Sequence, residues 1–163
     1  MNKEVFKKHP QLEVGDYILK AISNSDLKEV EELCTYYPPE RKTSAKALIE
    51  KVEKQYEEHS GINWGIYHNN ELAGTIGFYR GFDNDQGELG YVLREKFRRK
   101  SIGKICAKAV IKVAFEQMEL TAIEAYTAID NEPSKKLLAS VGFKRIENPD
   151  ENTAAFRIEN QTH

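Results

Sequence analysis

Apolar residues recur at three- and four-residue intervals between Ser101 and Met118, and this spacing predicts a long amphipathic helix. Lysines occupy the opposite stripe, as expected for a solvated face. Further helices are predicted over 25–37, 43–59 and 134–141. Residues 50, 51, 54, 57 and 58 of the second of these form a charged side that we expect to be solvated.

Short apolar runs bounded by turn residues predict about six to seven strands. These runs cover 17–22, 63–67, 72–79, 88–93, 122–127, 143–146 and 154–158. Successive strands with one strand–helix–strand unit in the middle are typical of an α/β domain, in which helices flank a mixed, mostly antiparallel sheet. We expect one such domain over 15–160, preceded by a loosely ordered segment 1–14.

Composition narrows the class of protein. The length of 163 residues fits one domain. The net charge of −2 argues against a nucleic-acid binder. No stretch approaches the roughly 18 apolar residues of a membrane span, and residues 1–10 lack the apolar core of a secretion signal. Cys34 and Cys106 fall within helical patterns and are predicted to be buried, reduced thiols. A cytoplasmic protein that binds no membrane is the expectation.

A basic loop over 94–100 joins strand 88–93 to the helix that begins at Ser101. Five of its seven residues are basic: Arg94, Lys96, Arg98, Arg99 and Lys100. The start of a helix presents free N–H groups and the positive end of its dipole, so this site suits a diphosphate. A solvated basic turn is the alternative interpretation.

Several motifs occur in register with this loop. The segment 98–103 matches the signature Gln/Arg-x-x-Gly-x-Gly/Ala, with Ser101 at the first glycine and Gly103 at the second. Asn131 and Ser134 follow the next strand, and Gly142 precedes a phenylalanine. On these residues the chain resembles the GNAT superfamily of N-acetyltransferases from 17 to 158, closest to the ribosomal-protein-alanine acetyltransferase branch. The resemblance implies transfer of an acetyl group from acetyl-CoA, as co-substrate, to a primary amine.

The resemblance also implies how acetyl-CoA is held. Strand 88–93 is expected to splay from strand 122–127, which frees backbone groups for the pantetheine and the thioester oxygen. The residues expected to bind acetyl-CoA are Val92, Leu93, Arg94, Arg98, Arg99, Lys100, Ser101, Ile102, Gly103, Lys104 and Asn131. Serine at position 101 can cap the following helix, and Asn131 is expected to cap the helix after it.

Two residues are candidates for the chemistry. Glu88 faces the expected cleft and could deprotonate the amine directly or through one water; a surface carboxylate is the alternative. Many family members place a tyrosine at the position of Leu138. Ser134 is therefore the candidate that hydrogen-bonds the departing sulfur. The alternative is that Ser134 is an ordinary serine in the first turn of a helix. Tyr126, on the neighbouring strand, is the second candidate for the acid.

The acceptor is less constrained by the sequence. Asp83, Asp85 and Glu88 precede the basic loop, which suggests a cationic acceptor such as a protein N-terminus in a basic segment. Small amines, antibiotics and peptides are further possible acceptors. The alternative interpretation of the acidic residues is a solvated loop. Histidines 9, 59, 68 and 163 show no ligand spacing, so no metal is expected. Analogy with the family suggests a homodimer, and a non-catalytic acyl-CoA-binding regulatory module of the same fold is the alternative function.

Overall fold

The chain folds around an eight-stranded mixed sheet, and this computed structural model describes its residues 1–161. The strands are β1 (Leu12–Val14), β2 (Tyr17–Lys20), β3 (Ile62–His68), β4 (Glu71–Phe78), β5 (Gln86–Leu93), β6 (Ala122–Ala128), β7 (Lys144–Asp150) and β8 (Thr153–Glu159). The helices are α1 (Leu27–Cys34), α2 (Ala45–Glu57), α3 (Ile102–Lys112) and α4 (Glu132–Ser140). The α/β fold predicted from the sequence is confirmed, with slightly more strands than expected.

The sheet has one parallel step in an otherwise antiparallel order. Its strands run β1-β2-β3-β4-β5-β6-β8-β7, and only β5 and β6 are parallel neighbours. The connection between these two strands passes through α3, as a parallel pair requires. The strand–helix–strand unit predicted from the sequence therefore lies at the centre of the sheet.

Each face of the sheet buries its own apolar cluster. Along β4, Leu72 joins the cluster under α1 and α2, whereas Ala73 joins the cluster under α3. Neighbouring residues of a strand point to opposite faces, so this alternation places α1 and α2 on one face and α3 on the other. Helix α4 packs against α3 on that second face. Strand β5 consequently separates two helical layers.

Helix ends follow the local chemistry of the sequence. Ser44 accepts a hydrogen bond from the N–H of Ala47 at the start of α2, and Asn131 accepts one from Ser134 at the start of α4. The predicted helix 101–118 is α-helical only to Lys112 and continues as a π-turn over 113–117. Such turns locally widen a helix that is otherwise continuous.

Both cysteines are buried free thiols, as predicted. Burial raises the pKa of Cys106 to about 12 and also raises that of Cys34. Neither thiol is therefore a reactive nucleophile at neutral pH. No helix within residues 1–161 is both long and apolar enough to cross a bilayer.

The segment 1–14, expected to be loose, packs against the domain. Val5 and Phe6 are buried, and the Met1 amino group donates to Asp85 at 2.7 Å. Strand β1, which the sequence patterning missed, pairs with β2. The ring of Phe6 stacks on that of His59 with centroids 4.6 Å apart. Aromatic burial thus anchors a segment whose terminal position had suggested loose order.

We expect Phe6→Ala to lower the free energy of unfolding by about 3 kcal/mol, because it leaves a cavity among aromatic rings. Urea unfolding followed by circular dichroism measures the change. Lys7→Ala is the matched control, since Lys7 is exposed and pairs with the equally exposed Glu4. Equal stability of the two variants would show that the segment is loosely attached.

Candidate active site

Strands β5 and β6 part in the middle of the sheet, and the gap between them is the centre of the candidate site. They pair only over Gln86–Glu88, opposite residues 122–124. Beyond that point β5 remains paired with β4, and β6 remains paired with β8. The splay expected between these strands is therefore present, and it leaves the facing edge of β5 without a strand partner.

Hydrogen-bond directions identify the backbone groups that face the gap. The N–H of Arg94 donates to Ala73 on β4 at 2.8 Å, and the carbonyl of Asp85 accepts at 2.8 Å from the residue before β6. Backbone groups alternate between the two edges of a strand, so odd-numbered residues of β5 face the gap. The N–H groups of Tyr91 and Leu93 are therefore directed into it.

This alternation corrects two of the three backbone contacts expected from the sequence. Val92 and Arg94 turn their N–H groups toward β4, where the antiparallel ladder uses them. Only Leu93 of the three faces the gap. Tyr91 is the donor that sequence reasoning missed, because the apolar pattern of 88–93 does not show which edge of the strand lies free. Tyr91 lies two residues before Leu93, so its N–H faces the same edge of the strand, and this spacing is the signal that could have identified it.

A cavity of about 800 Å³, here called the α3–α4 cavity, opens beside this gap and has a volume typical of ligand pockets. Ser134 lines it together with most of the residues predicted to bind acetyl-CoA: Val92, Leu93, Arg98, Arg99, Ser101, Ile102, Gly103, Lys104 and Asn131. Lys136 of α4 also lines the cavity and was not predicted. Arg94, Lys100 and Glu88 lie outside its lining.

The loop before α3 adopts a left-handed backbone conformation at two positions. Arg99 has a φ of 63° and Ser101 a φ of 61°. This region costs an L-residue about 1–2 kcal/mol, which explains why the signature has glycine where this chain has Ser101. The side chain of Ser101 does not cap α3, contrary to the expected role. What the loop offers is free N–H groups at the helix start.

Gly103 allows α3 and α4 to pack closely together. A methyl group at this position would lie 2.9 Å from Cδ1 of Leu137 on α4 and 3.8 Å from the ring of Tyr91. A side chain there would press into the floor of the α3–α4 cavity. Close approach of α3 to its neighbours is thus the local reason for glycine.

The basic side chains of the loop have different positions. Arg98 donates from Nε to the Leu93 carbonyl at 3.0 Å and lies over the Tyr36 ring. The ammonium of Lys100 lies 5.9 Å from the centre of the Phe97 ring. Arg98 therefore helps to fix the end of β5, and Lys100 is drawn away from the cavity.

Exposed cations remain at the cavity itself. Arg99, Lys104 and Lys136 are exposed and line it. The free N–H groups at the start of α3 lie on the same side. This combination of backbone donors and mobile positive charge is suited to an anion such as a diphosphate.

Arg94 has a structural position rather than a place in the cavity. Its Nη1 donates to Glu71 and to the Leu72 carbonyl, both at 2.8 Å, and its Nε donates to Glu32 at 3.2 Å. The side chain is only 12 % exposed. Arg94 thus ties the end of β5 to β4 and α1, which corrects its expected contact with acetyl-CoA.

Glu88 lies on the opposite face of β5, where a second cavity opens. It is called the α1–α2 cavity after the helical layer on this face, although its helical lining comes from α2 and the segment before it. The cavity has a volume of about 730 Å³ and shares residues 90–92 with the first. The carboxylate of Glu88 is 3.0 Å from Nε of Arg80. Partial burial raises the pKa of Glu88, the nearby Arg80 offsets part of that rise, and Glu124 adds to it. A raised pKa suits a group that exchanges protons near neutrality.

A pair of hydroxyls occupies the α3–α4 side of the gap. Ser134 Oγ lies 3.0 Å from the hydroxyl of Tyr91, and the Ser134 N–H donates to Asn131 Oδ1 at 3.1 Å. Burial raises the pKa of Tyr91, and the hydrogen bond with Ser134 partly opposes this. Asn131 therefore caps α4 as expected. The tyrosine beside Ser134 was missed because an aromatic strand residue resembles ordinary core.

The other residues considered for the leaving group are placed differently. Leu138 is buried in the apolar cluster, so this position offers no hydroxyl. The hydroxyl of Tyr126 donates to Glu124 at 2.9 Å and is turned toward that carboxylate. Among residues 1–161, no group of three or more metal-ligating side chains is assembled. His163, included in the sequence-based metal expectation, lies outside the described residues.

Comparison with known proteins identifies the family. Residues 15–144 match the model of the acetyltransferase (GNAT) domain. The chain is 32 % identical over 149 residues to YoaA of Bacillus subtilis (strain 168), an uncharacterized N-acetyltransferase, covering 83 % of this chain and 84 % of that one. The chain therefore belongs to the GNAT family of acetyltransferases, and the acyltransferase class predicted from its sequence is confirmed.

Solved structures share the fold at low sequence identity. A ribosomal-protein-S5-alanine acetyltransferase from Vibrio fischeri superposes with a TM-score of 0.75 at 18 % identity, covering 93 % of this chain and 97 % of that one. Spermidine N-acetyltransferase from Vibrio cholerae, in complex with CoA and spermine, gives a TM-score of 0.78 at 15 % identity, covering 89 % and 96 %. Their acceptors differ, so this likeness concerns the fold alone.

Arg94→Ala is expected to lower the free energy of unfolding by about 2 kcal/mol, because the Leu72 carbonyl loses its charged donor and β5 loses its link to α1. Chemical denaturation measures the loss. Lys96→Ala is the control, because the exposed Lys96 also pairs with Glu71 and lies over the Phe97 ring, and its loss should cost much less. Titration calorimetry should find acetyl-CoA binding unchanged in folded Arg94→Ala, and its abolition would return Arg94 to the binding site.

Proposed function

We propose that the chain transfers an acetyl group from acetyl-CoA to a primary amine by direct attack within a ternary complex. The parting of β5 and β6, with one cavity on each face of β5, is the observation that carries this proposal. Such an arrangement lets two substrates approach the same strand from opposite sides. Positioning two reactants in this way supplies much of the rate enhancement of a bimolecular reaction.

On the α3–α4 side, the chain's groups suit acetyl-CoA. Free N–H groups from Arg99 to Lys104 and the exposed cations Arg99, Lys104 and Lys136 would hold its phosphates. The unpaired N–H groups of Tyr91 and Leu93 would bind the pantetheine and the thioester oxygen. An N–H directed at a developing oxyanion is typically worth about 3–4 kcal/mol of barrier.

On the α1–α2 side, Glu88 would act on the amine. An alkyl amine is mostly protonated at neutral pH, so its nitrogen needs to lose a proton before it attacks the thioester carbon. Glu88 would accept that proton, directly or through one water. The carbon–nitrogen bond then forms and the carbon–sulfur bond breaks, which leaves a thiolate on the Ser134 side of the strand.

The hydroxyls of Ser134 and Tyr91 would receive this thiolate. The two groups carry two protons, and one of these lies in the hydrogen bond between them. The other proton is available to the cavity, where it can be donated to sulfur. Because a coenzyme thiol has a pKa near that of cysteine, about 8.5, a hydrogen bond is sufficient and a strong acid is not needed.

Free-thiol release with acetyl-CoA across N-terminal peptides, polyamines and aminoglycosides tests the proposed reaction. Glu88→Gln should lower kcat/KM about 100-fold because the general base is lost, with calorimetric acetyl-CoA affinity unchanged. The lower limb of the pH profile should lie above the ordinary glutamate pKa, disappear in Glu88→Gln, and shift upward in Arg80→Gln, which lacks the charge that lowers this pKa. Acetyl-CoA binding without thiol release from any amine would instead indicate the regulatory module.

Tyr91→Phe and Ser134→Ala should each lower kcat by about tenfold, since either change removes a hydrogen bond to the leaving sulfur. The double variant should be little worse than either single one, because the two hydroxyls act as a unit. Steady-state kinetics at saturating acetyl-CoA measures these effects. Tyr126→Phe is the matched control and should retain activity. Additive losses, or an equal loss in the control, would contradict the pairing of the two hydroxyls.

A further inference from the structure

The α1–α2 cavity has an excess of positive charge. Its charged lining consists of three basic side chains, Arg41, Lys51 and Arg80, against the single carboxylate of Glu88. Arg80 is already paired with that carboxylate at 3.0 Å. Among residues 1–161, Arg41 and Lys51 form no ion pair with any carboxylate. Two positive charges at the cavity therefore lack a partner of opposite sign.

The backbone directs both charges toward this cavity. Lys51 occupies the same face of α2 as Leu48, Val52 and Gln55, which line the cavity at helical spacing. Lys51 is exposed, as expected from the sequence, and it also lines this cavity. Arg41 ends the turn of 3₁₀ helix before α2. Both side chains are exposed, so they lie where an entering molecule would meet them.

The rest of the lining is mostly aromatic and apolar. Tyr37, Tyr79, Leu48 and Val52 contribute to it. Gly90 permits the position of Tyr79, because a methyl group at residue 90 would lie 2.8 Å from that ring. Electrostatic attraction is strengthened beside such low-dielectric surface.

Of the three acidic residues that suggested a cationic acceptor, only Glu88 lines this cavity. Asp85 accepts from the Met1 amino group at 2.7 Å, and neither Asp83 nor Asp85 lines the α1–α2 cavity. A polyamine, which is cationic along its length, would therefore bring its second amine toward Arg41 and Lys51 without a carboxylate to receive it. Like charges in such proximity disfavour binding.

We propose that the acceptor is a primary amine that carries an anionic group, a carboxylate or phosphate, in the same molecule. The anionic group binds at Arg41 and Lys51 while the amine reaches Glu88. This inference rests on the proposed acetyl transfer and adds the charge class of its substrate. A free amino acid and a peptide N-terminus followed by acidic residues share this chemistry.

Matched acceptors test the charge class. Three tripeptide amides, with serine followed by two aspartates, two asparagines or two lysines, are compared with spermidine, phenylalanine and phenylalaninamide. The aspartate peptide should exceed the asparagine peptide in kcat/KM by about tenfold, mainly through KM, and added salt should reduce the difference. The lysine peptide and spermidine should be poorest. Stronger preference for phenylalanine over its amide would identify a small-molecule source of the same chemistry.

The double variant Arg41→Gln/Lys51→Gln should reduce the preference for aspartate over asparagine about tenfold. Lys54→Gln is the control, because Lys54 lies on the same helix, pairs with Glu58 and does not line the cavity. It should keep the preference. Equal use of the three peptides, or best use of the lysine peptide or spermidine, would overturn the inference.

Failure of the two proposals can be told apart. If acetyl-CoA binds and some amine is acetylated without charge preference, only the acceptor inference fails. If no acetyl-CoA binds, the proposed reaction fails, and calorimetry of the three peptides with the protein still decides the charge class. Tighter binding of the aspartate peptide, weakened in the double variant, would support the inference; no difference among the peptides would overturn it.

Discussion

The candidate site depends on a parallel strand pair that ends after three residues. Unpaired N–H groups inside a sheet are costly unless they find another partner or water. In this chain, Tyr91 and Leu93 turn such groups into the gap between β5 and β6, beside a cavity large enough for a ligand. If β5 and β6 paired along their whole length, these N–H groups would be bonded to β6; because the pair ends early, they remain as donors at the centre of the sheet. Hydrogen bonds from Arg94 and Arg98 tie down the end of β5 beside this opening.

The regular part of this architecture could be predicted from the sequence because it depends on periodicity. The apolar stripe of α3, the cap at Asn131 and the central strand–helix–strand order each have local signals. Strand β1 was missed because three residues between turn-forming neighbours are too short to show alternation. The π-turn after Lys112 was missed because its apolar residues keep an approximately helical spacing.

Residue roles were harder to predict than elements. A basic loop suggests phosphate binding at every cation. However, Arg94 forms hydrogen bonds with β4 and α1, whereas Arg99 lines the α3–α4 cavity. The difference is set by which side chain meets a carboxylate after folding, and that contact joins segments more than twenty residues apart. Tyr91 illustrates the converse case, since an aromatic residue in a strand has no local feature that distinguishes a packed ring from one whose hydroxyl reaches Ser134.

The division of the two cavities between separate helical layers has an evolutionary consequence. Helices α3 and α4 line one cavity and α2 with its preceding turn lines the other, and the two share only residues of β5. Mutations in α2 can therefore reshape one half of the molecule while the other half is inherited intact. Descendants of a single ancestor could diverge in what they modify without having to reinvent how they are supplied with the group they transfer.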